Sequence, residues 1–150
     1  MPFSASSSSP PFFTFALSLF HRRFVFRQSF CRIFSSSDCC CKGKPVVALE
    51  STLITHGLPH PTNFNVAIRL EEIVRKENAV PATIALLNGH IRVGLSQDEL
   101  RRISMPKTDA VKVSRRDLAN CLVENRIGGT TVAATIWIAH TQSGHSNIRK

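Results

Sequence analysis

Three places in this sequence carry groups able to move a proton or hold an anion, and each stands where a short apolar run ends. Glu50 follows Val46-Val47-Ala48-Leu49. A carboxylate at the mouth of an apolar strand is partly desolvated, which raises its pKa and suits it to pass a proton. The other reading is a Glu that caps or pairs at a strand end. Lys112 lies inside Ala110-Val111-Lys112-Val113. An ammonium there needs an anionic partner, either a protein carboxylate or a substrate phosphate, unless the strand lies at a sheet edge and the lysine in water. Gly128-Gly129-Thr130-Thr131 precedes a stretch of helical type. Its amides and hydroxyls would make an anion cradle at a helix start, or the threonines would only cap the helix.

Other candidates carry less. Ser114-Arg115-Arg116-Asp117 reads either as a phosphate-binding or subunit-pairing cluster or as the charged first turn of a helix. His56 and His60 lie four apart in a loop broken by Pro59 and Pro61, so no helix face brings them together and a metal pair is not expected. Cys39, Cys40 and Cys41 are adjacent thiols rather than a C-x-x-C pair, and Cys121 is expected to be buried in a helix.

The elements that must position these groups follow from periodicity. Residues 45–49 have the continuous apolar pattern of a buried strand. The segment 51–61, with two prolines, a glycine and several hydroxyls, is expected to be an irregular loop, the place where α/β proteins keep their chemistry. From Thr62 to Asn78, Val66, Ala67, Leu70, Ile73 and Val74 recur at helical spacing, with Arg69, Glu71, Glu72, Arg75 and Lys76 on the other face. Pro81 opens a strand over 82–87, and Asn88-Gly89 turns it into a partner over 90–93. Ser96 and Glu99 form a capping box for a helix over 97–103. A strand over 109–113 and a helix through Val123 follow, then the glycine-threonine segment and a helix over 133–140. The order points to a layered α/β/α fold around a mixed, mostly parallel sheet that is incomplete in this chain.

Composition divides the chain. Nine of the ten Phe and ten Ser lie in residues 1–44, with six Lys or Arg against Asp38 alone. That is the make-up of an organellar transit peptide, mitochondrial or plastid with the mitochondrion favoured. The apolar run Phe12–Phe20 is about half of the 20 residues that a membrane span needs. Residues 45–150 carry thirteen bases and nine acids, interleaved and without an aromatic platform, so the pI of about 10.1 does not signal a nucleic-acid partner. The expected organisation is a leader (1–44), a folded part (45–140) and a divergent polar tail (141–150).

Five blocks, in order, resemble the pseudouridine 5'-phosphate glycosidase family, also called indigoidine synthase A-like. They are Val47-Ala48-Leu49-Glu50-Ser51-Thr52-Leu53-Ile54-Thr55-His56-Gly57-Leu58-Pro59, Val80-Pro81-Ala82-Thr83-Ile84-Ala85, Val93-Gly94-Leu95, Lys112-Val113-Ser114-Arg115-Arg116-Asp117, and Gly128-Gly129-Thr130-Thr131-Val132-Ala133-Ala134-Thr135.

The resemblance implies reversible cleavage of the carbon–carbon glycosidic bond of pseudouridine 5'-phosphate to uracil and ribose 5-phosphate. A C-glycoside has no leaving oxygen to protonate, so the paired-carboxylate scheme of ordinary glycosidases does not apply. The family instead opens the ribose ring and forms an imine with a lysine, with a divalent metal, usually manganese, at the site. By motif match Glu50 is the proton donor, Lys112 a substrate-binding cation, and Thr130, Thr131 and Val132 part of the substrate pocket. Family members are homotrimers. The imine-forming lysine and the metal-binding aspartate lie downstream of the last block, in a part that this chain lacks, so catalysis by the chain alone is expected to be impaired. The alternative is a non-catalytic partner of a full-length homologue.

Overall fold

The computed structural model describes residues 44–144. Residues 1–43 and 145–150, and with them the expected transit peptide and most of the polar tail, lie outside the described part.

The described chain forms a five-stranded mixed sheet with helices on both faces, the layered α/β/α arrangement expected from the sequence. The strands are β1 (Val46–Leu49), β2 (Val80–Leu87), β3 (His90–Val93), β4 (Ala110–Val113) and β5 (Ile127–Thr130). The helices are α1 (Thr62–Lys76), α2 (Gln97–Ser104), α3 (Leu118–Val123) and α4 (Val132–Gly144). Pairings of β1 with β2 and of β4 with β5 are parallel, while β2 pairs antiparallel with β3 and β5. One face packs Ile84, Leu86, Val113, Cys121, Ala134 and Ile138 against α3 and α4. The other packs Ala85 and Leu87 with Ile54, Ala67, Leu100 and Ile103 beneath α1 and α2.

Local signals explain several boundaries. Asn88 and Gly89 have φ of 52° and 71°, the left-handed pair that a two-residue hairpin requires, and they join β2 to β3. The capping box of α2 forms as expected: Glu99 N donates to Ser96 Oγ at 3.2 Å, and Ser96 N to Glu99 Oε2 at 2.9 Å. At 114–117 a single 3-10 turn precedes α3, and Ser114 N donates to Asp117 Oδ2 at 2.9 Å. The charged first turn is therefore the reading that the fold adopts.

Four differences from the sequence reading have physical causes. The segment after β1 is not irregular throughout: Leu53–Gly57 forms a π-helical turn, anchored by buried Ile54, and His60–Pro61 is a cis peptide. β1 is only half-buried apart from Val46, because its one strand neighbour among the described residues is β2. Helix α1 buries Asn63, Ala67, Glu71 and Val74, so its inward stripe carries two polar residues. Glu71 is satisfied there by Thr83 Oγ1 at 2.7 Å and by Arg75 Nη2 at 2.9 Å, and Asn63 Nδ2 by the carbonyls of Ile54 and Ser104, both at 2.8 Å. Finally, α4 runs four residues past His140, and Thr141 Oγ1 donates to Ile138 O at 2.9 Å.

Candidate active site

Strands β1 and β5 lie along the same edge of β2 and run toward each other. β1 pairs with β2 from Val80 up to Thr83, and β5 pairs from Leu86 down to Ala85, so both carboxyl ends arrive at Ile84. The opposite edge of β2 is held by β3, whose pairing continues as Gly94 N donates to Thr83 O at 3.0 Å. β4 is parallel to β5 and brings its own carboxyl end alongside. Three strand ends thus converge, which is where open α/β sheets form their crevices. Glu50 ends β1, Lys112 and Val113 end β4, and Thr130 leads from β5 into Thr131 and Val132.

The meeting point is sealed by buried hydroxyls. Ser51 Oγ donates to Ile84 O at 2.6 Å, Thr130 Oγ1 donates to the same carbonyl at 2.7 Å, and Thr130 N donates to Ser51 Oγ at 2.9 Å. Ser51 N completes the junction by donating to Thr130 O at 3.2 Å.

Next to it, Glu50 is half-buried, and Thr52 N donates to its Oε2 at 3.0 Å. Burial raises its carboxyl above the ordinary value, opposed by hydrogen bonds from the backbone of Thr52 and Leu53 and by the charge of Lys112. The sequence-based expectation of a partly desolvated carboxylate is met, and its electrostatic partner among the cations is the one that the motifs singled out. Lys112 itself is exposed on β4, the last strand of the sheet path, so its apolar neighbours do not enclose it.

Lys112 stands in register with Gly129 of β5. Side chains of register partners share a sheet face, so Lys112 rises from the face that Thr55 covers. Thr55 sits so close over Gly129 that a Cβ there would overlap its Oγ1 and lie 3.1 Å from its Cβ and Cγ2. Thr55 Oγ1 also lies 2.7 Å from Nδ1 of exposed His56, and Thr52 Oγ1 donates to Gly129 O at 3.2 Å. The π-turn is therefore laid on the bare backbone of β5, beside Lys112.

Of the two readings of the glycine–threonine segment, this geometry leaves out the anion cradle. Gly128, Gly129 and Thr130 are strand residues, and the amides of Thr130 and Thr131 are engaged by Ser51 Oγ and by Val113 O at 2.9 Å each. Thr130 is fully buried, so it bears on the site from behind rather than as a lining side chain. Thr131 is half-buried and precedes α4, while Val132 is 50% exposed at the head of that helix. Among the described residues no three His, Cys, Asp or Glu side chains gather as a metal site. The resemblance places the manganese ligand downstream of these residues, and no step below passes through the metal.

The sequence and fold match known proteins. A family description, "Indigoidine synthase A like protein", matches residues 37–144. The chain belongs to this family. It is 51% identical over 96 residues to a pseudouridine-5'-phosphate glycosidase of Mycoplasmopsis agalactiae, covering 64% of this chain and 32% of that protein. It is 55% identical over 98 residues to the enzyme of the same name from Paracoccus denitrificans, covering 65% and 32%. Among solved structures, an indigoidine synthase A-like protein of Thermotoga maritima aligns with a TM-score of 0.60 at 35% identity, over 65% of this chain and 33% of that one. A prealnumycin C-glycosynthase in complex with ribulose 5-phosphate aligns with a TM-score of 0.55 at 41% identity, over 65% and 31%. The chain spans about a third of the length of these relatives.

Reasoning from the sequence placed the chemistry in the 51–61 loop but gave Ser51 and Thr55 no part of their own in the site. The signal was the density of hydroxyls in Ser51-Thr52-Leu53-Ile54-Thr55, which is unusual directly after an apolar strand and marks side chains that replace backbone partners.

Proposed function

We propose that this chain carries the proton-donor half of a site for the reversible cleavage of pseudouridine 5'-phosphate to uracil and ribose 5-phosphate. The observation that carries the reading is the convergence of three strand ends that sets half-buried Glu50 within the field of Lys112. A carboxyl whose pKa is raised keeps its proton closer to neutral pH, where it can deliver it to the departing carbon of the base. Lys112, exposed on β4, neutralises an anionic substrate and at the same time restrains the rise of the Glu50 pKa. Thr131 and Val132, at the head of α4, are the side chains that meet the substrate in this reading. The imine-forming lysine and the manganese ligand belong to segments of the family that follow this part, so turnover calls for them in addition to the residues described.

The test is binding. The full chain is expected to bind ribose 5-phosphate in calorimetry, and Lys112→Ala to weaken that binding about tenfold to a hundredfold, the loss of a hydrogen bond to a charged group. Equal affinity in the two proteins would remove Lys112 from the site.

The proposal includes import. Residues 1–44 fused to a fluorescent protein are expected to direct it into mitochondria, in keeping with an acid-poor, Arg- and Ser-rich leader. Plastid fluorescence would correct the organelle, and diffuse cytosolic fluorescence would overturn the assignment.

A further inference from the structure

We infer that Ser51 and Thr130 are positioning residues, a buried hydroxyl clamp that fixes Glu50 relative to Thr131 and Val132 at the head of α4. The inference rests on Glu50 as the proton donor. Both side chains are fully buried, although they are 79 residues apart in sequence. Their donors and acceptors close on one another. The two lone pairs of Ile84 O are filled by the hydroxyls of Ser51 and Thr130, which uses both protons. Ser51 Oγ then accepts from Thr130 N, and Thr130 Oγ1 accepts from Thr135 Oγ1 of α4 at 3.0 Å. The remaining 3.3 Å contact between the two hydroxyl oxygens therefore carries no proton.

Such a closed set ties β1, β2, β5 and the first turn of α4 at one point. Each jaw of the clamp is covalently next to a site residue: Glu50 precedes Ser51, and Thr131 follows Thr130. Consecutive Cα atoms are about 3.8 Å apart and the peptide is stiff, so a shift of either jaw moves its neighbour. Sheet ladders normally hold strands through backbone groups alone. Here two strands end head to head and the ladder on this edge of β2 is interrupted, so side chains take over.

Titration of Glu50 in the full chain, followed by carbon-13 NMR of labelled Glu carboxyls, tests this without any need for turnover. Failure of the clamp and failure of the proton-donor role are thus read in different experiments. Thr130→Val keeps the side-chain shape and removes the hydroxyl; Thr130→Ser keeps the hydroxyl. With the clamp cut, Glu50 gains water and its midpoint falls toward the ordinary carboxylate value in Thr130→Val, while Thr130→Ser retains the wild-type midpoint. Thr135→Val, which leaves both bonds to Ile84 intact, retains it too.

The charged group that acts on Glu50 is Lys112 on β4, which holds its carboxyl down against the effect of burial. The fall of the Glu50 midpoint in Thr130→Val is therefore expected to persist in a Lys112→Ala background. A folded Thr130→Val with the wild-type Glu50 midpoint would overturn the inference, however far its melting temperature had dropped. If Thr130→Val does not fold, Ser51→Ala cuts the other hydroxyl bond to the same carbonyl from the β1 side and is read in the same way.

Discussion

Replacing the equivalent of Glu50 by Gln in a full-length relative is expected to lower turnover by about 10² to 10⁴, the usual contribution of a general acid. Gln preserves the size of the side chain and an oxygen to accept from Thr52 N, whose bond to Glu50 is 3.0 Å long in this chain. Substrate affinity should therefore stay within a few-fold, and steady-state kinetics should show a fall in kcat at nearly constant KM. A variant that bound poorly but turned over normally would return Glu50 to the role of a strand-end cap.

The same substitution gives a stability signature in this chain. Burial raises the folded-state pKa of Glu50 above its unfolded value. Below the unfolded pKa the group is protonated in both states and costs nothing. As pH rises through the folded pKa, the charged form must be held half-buried and stability is lost. Glu50→Gln should accordingly melt higher than wild type at pH 7 and at the same temperature near pH 3. A lower melting point at pH 7 would mean that the carboxylate is held by partners strong enough to outweigh its desolvation.

The parts of this fold that were legible in the sequence are those decided by neighbours in the chain. Asn88-Gly89 fixes its hairpin because both residues tolerate positive φ, and Ser96 with Glu99 closes its box within one turn. Glu50 was legible for a similar reason, since four apolar residues before it announce a partly dry strand end. What escaped is set by partners far away. Glu71 reads as part of a solvated helix face until Thr83 of β2 is known to stand opposite. Ser51 gives no hint of a partner near residue 130. Lys112 could be judged only once β4 was known to close the sheet path. Gly128 and Gly129 misled more actively, because glycine is a poor strand former and a common helix punctuator. Their place in a buried strand follows from what lies above and below them, not from propensity.

That crowding leads to the second large effect. Alanine at Gly129 is expected to destabilise the chain by about 1 to 3 kcal/mol, the range for overpacking a filled site, and to abolish binding of ribose 5-phosphate. The added methyl would overlap Thr55 Oγ1, so the π-turn has to lift from β5. Thr52 holds Gly129 O from that turn and Glu50 Oε2 from its own amide, and the lift carries both.

Gly128→Ala is the control. On the other face of β5 its Cβ would meet Val113 Cγ2 at 2.6 Å and Cys121 Sγ at 3.0 Å, so it overpacks the core beneath α3 and leaves the π-turn in place. Both variants should melt below wild type, but only Gly129→Ala should lose the ligand. Adding Thr55→Ala removes the hydroxyl and the methyl above Gly129 and should recover part of the stability, a coupling that two independent defects would not show. Thr55 Cβ would still lie 3.1 Å from the new methyl, so recovery is expected to be partial. Equal ligand affinity in Gly129→Ala and Gly128→Ala would mean that the close contact of the π-turn with β5 serves packing alone.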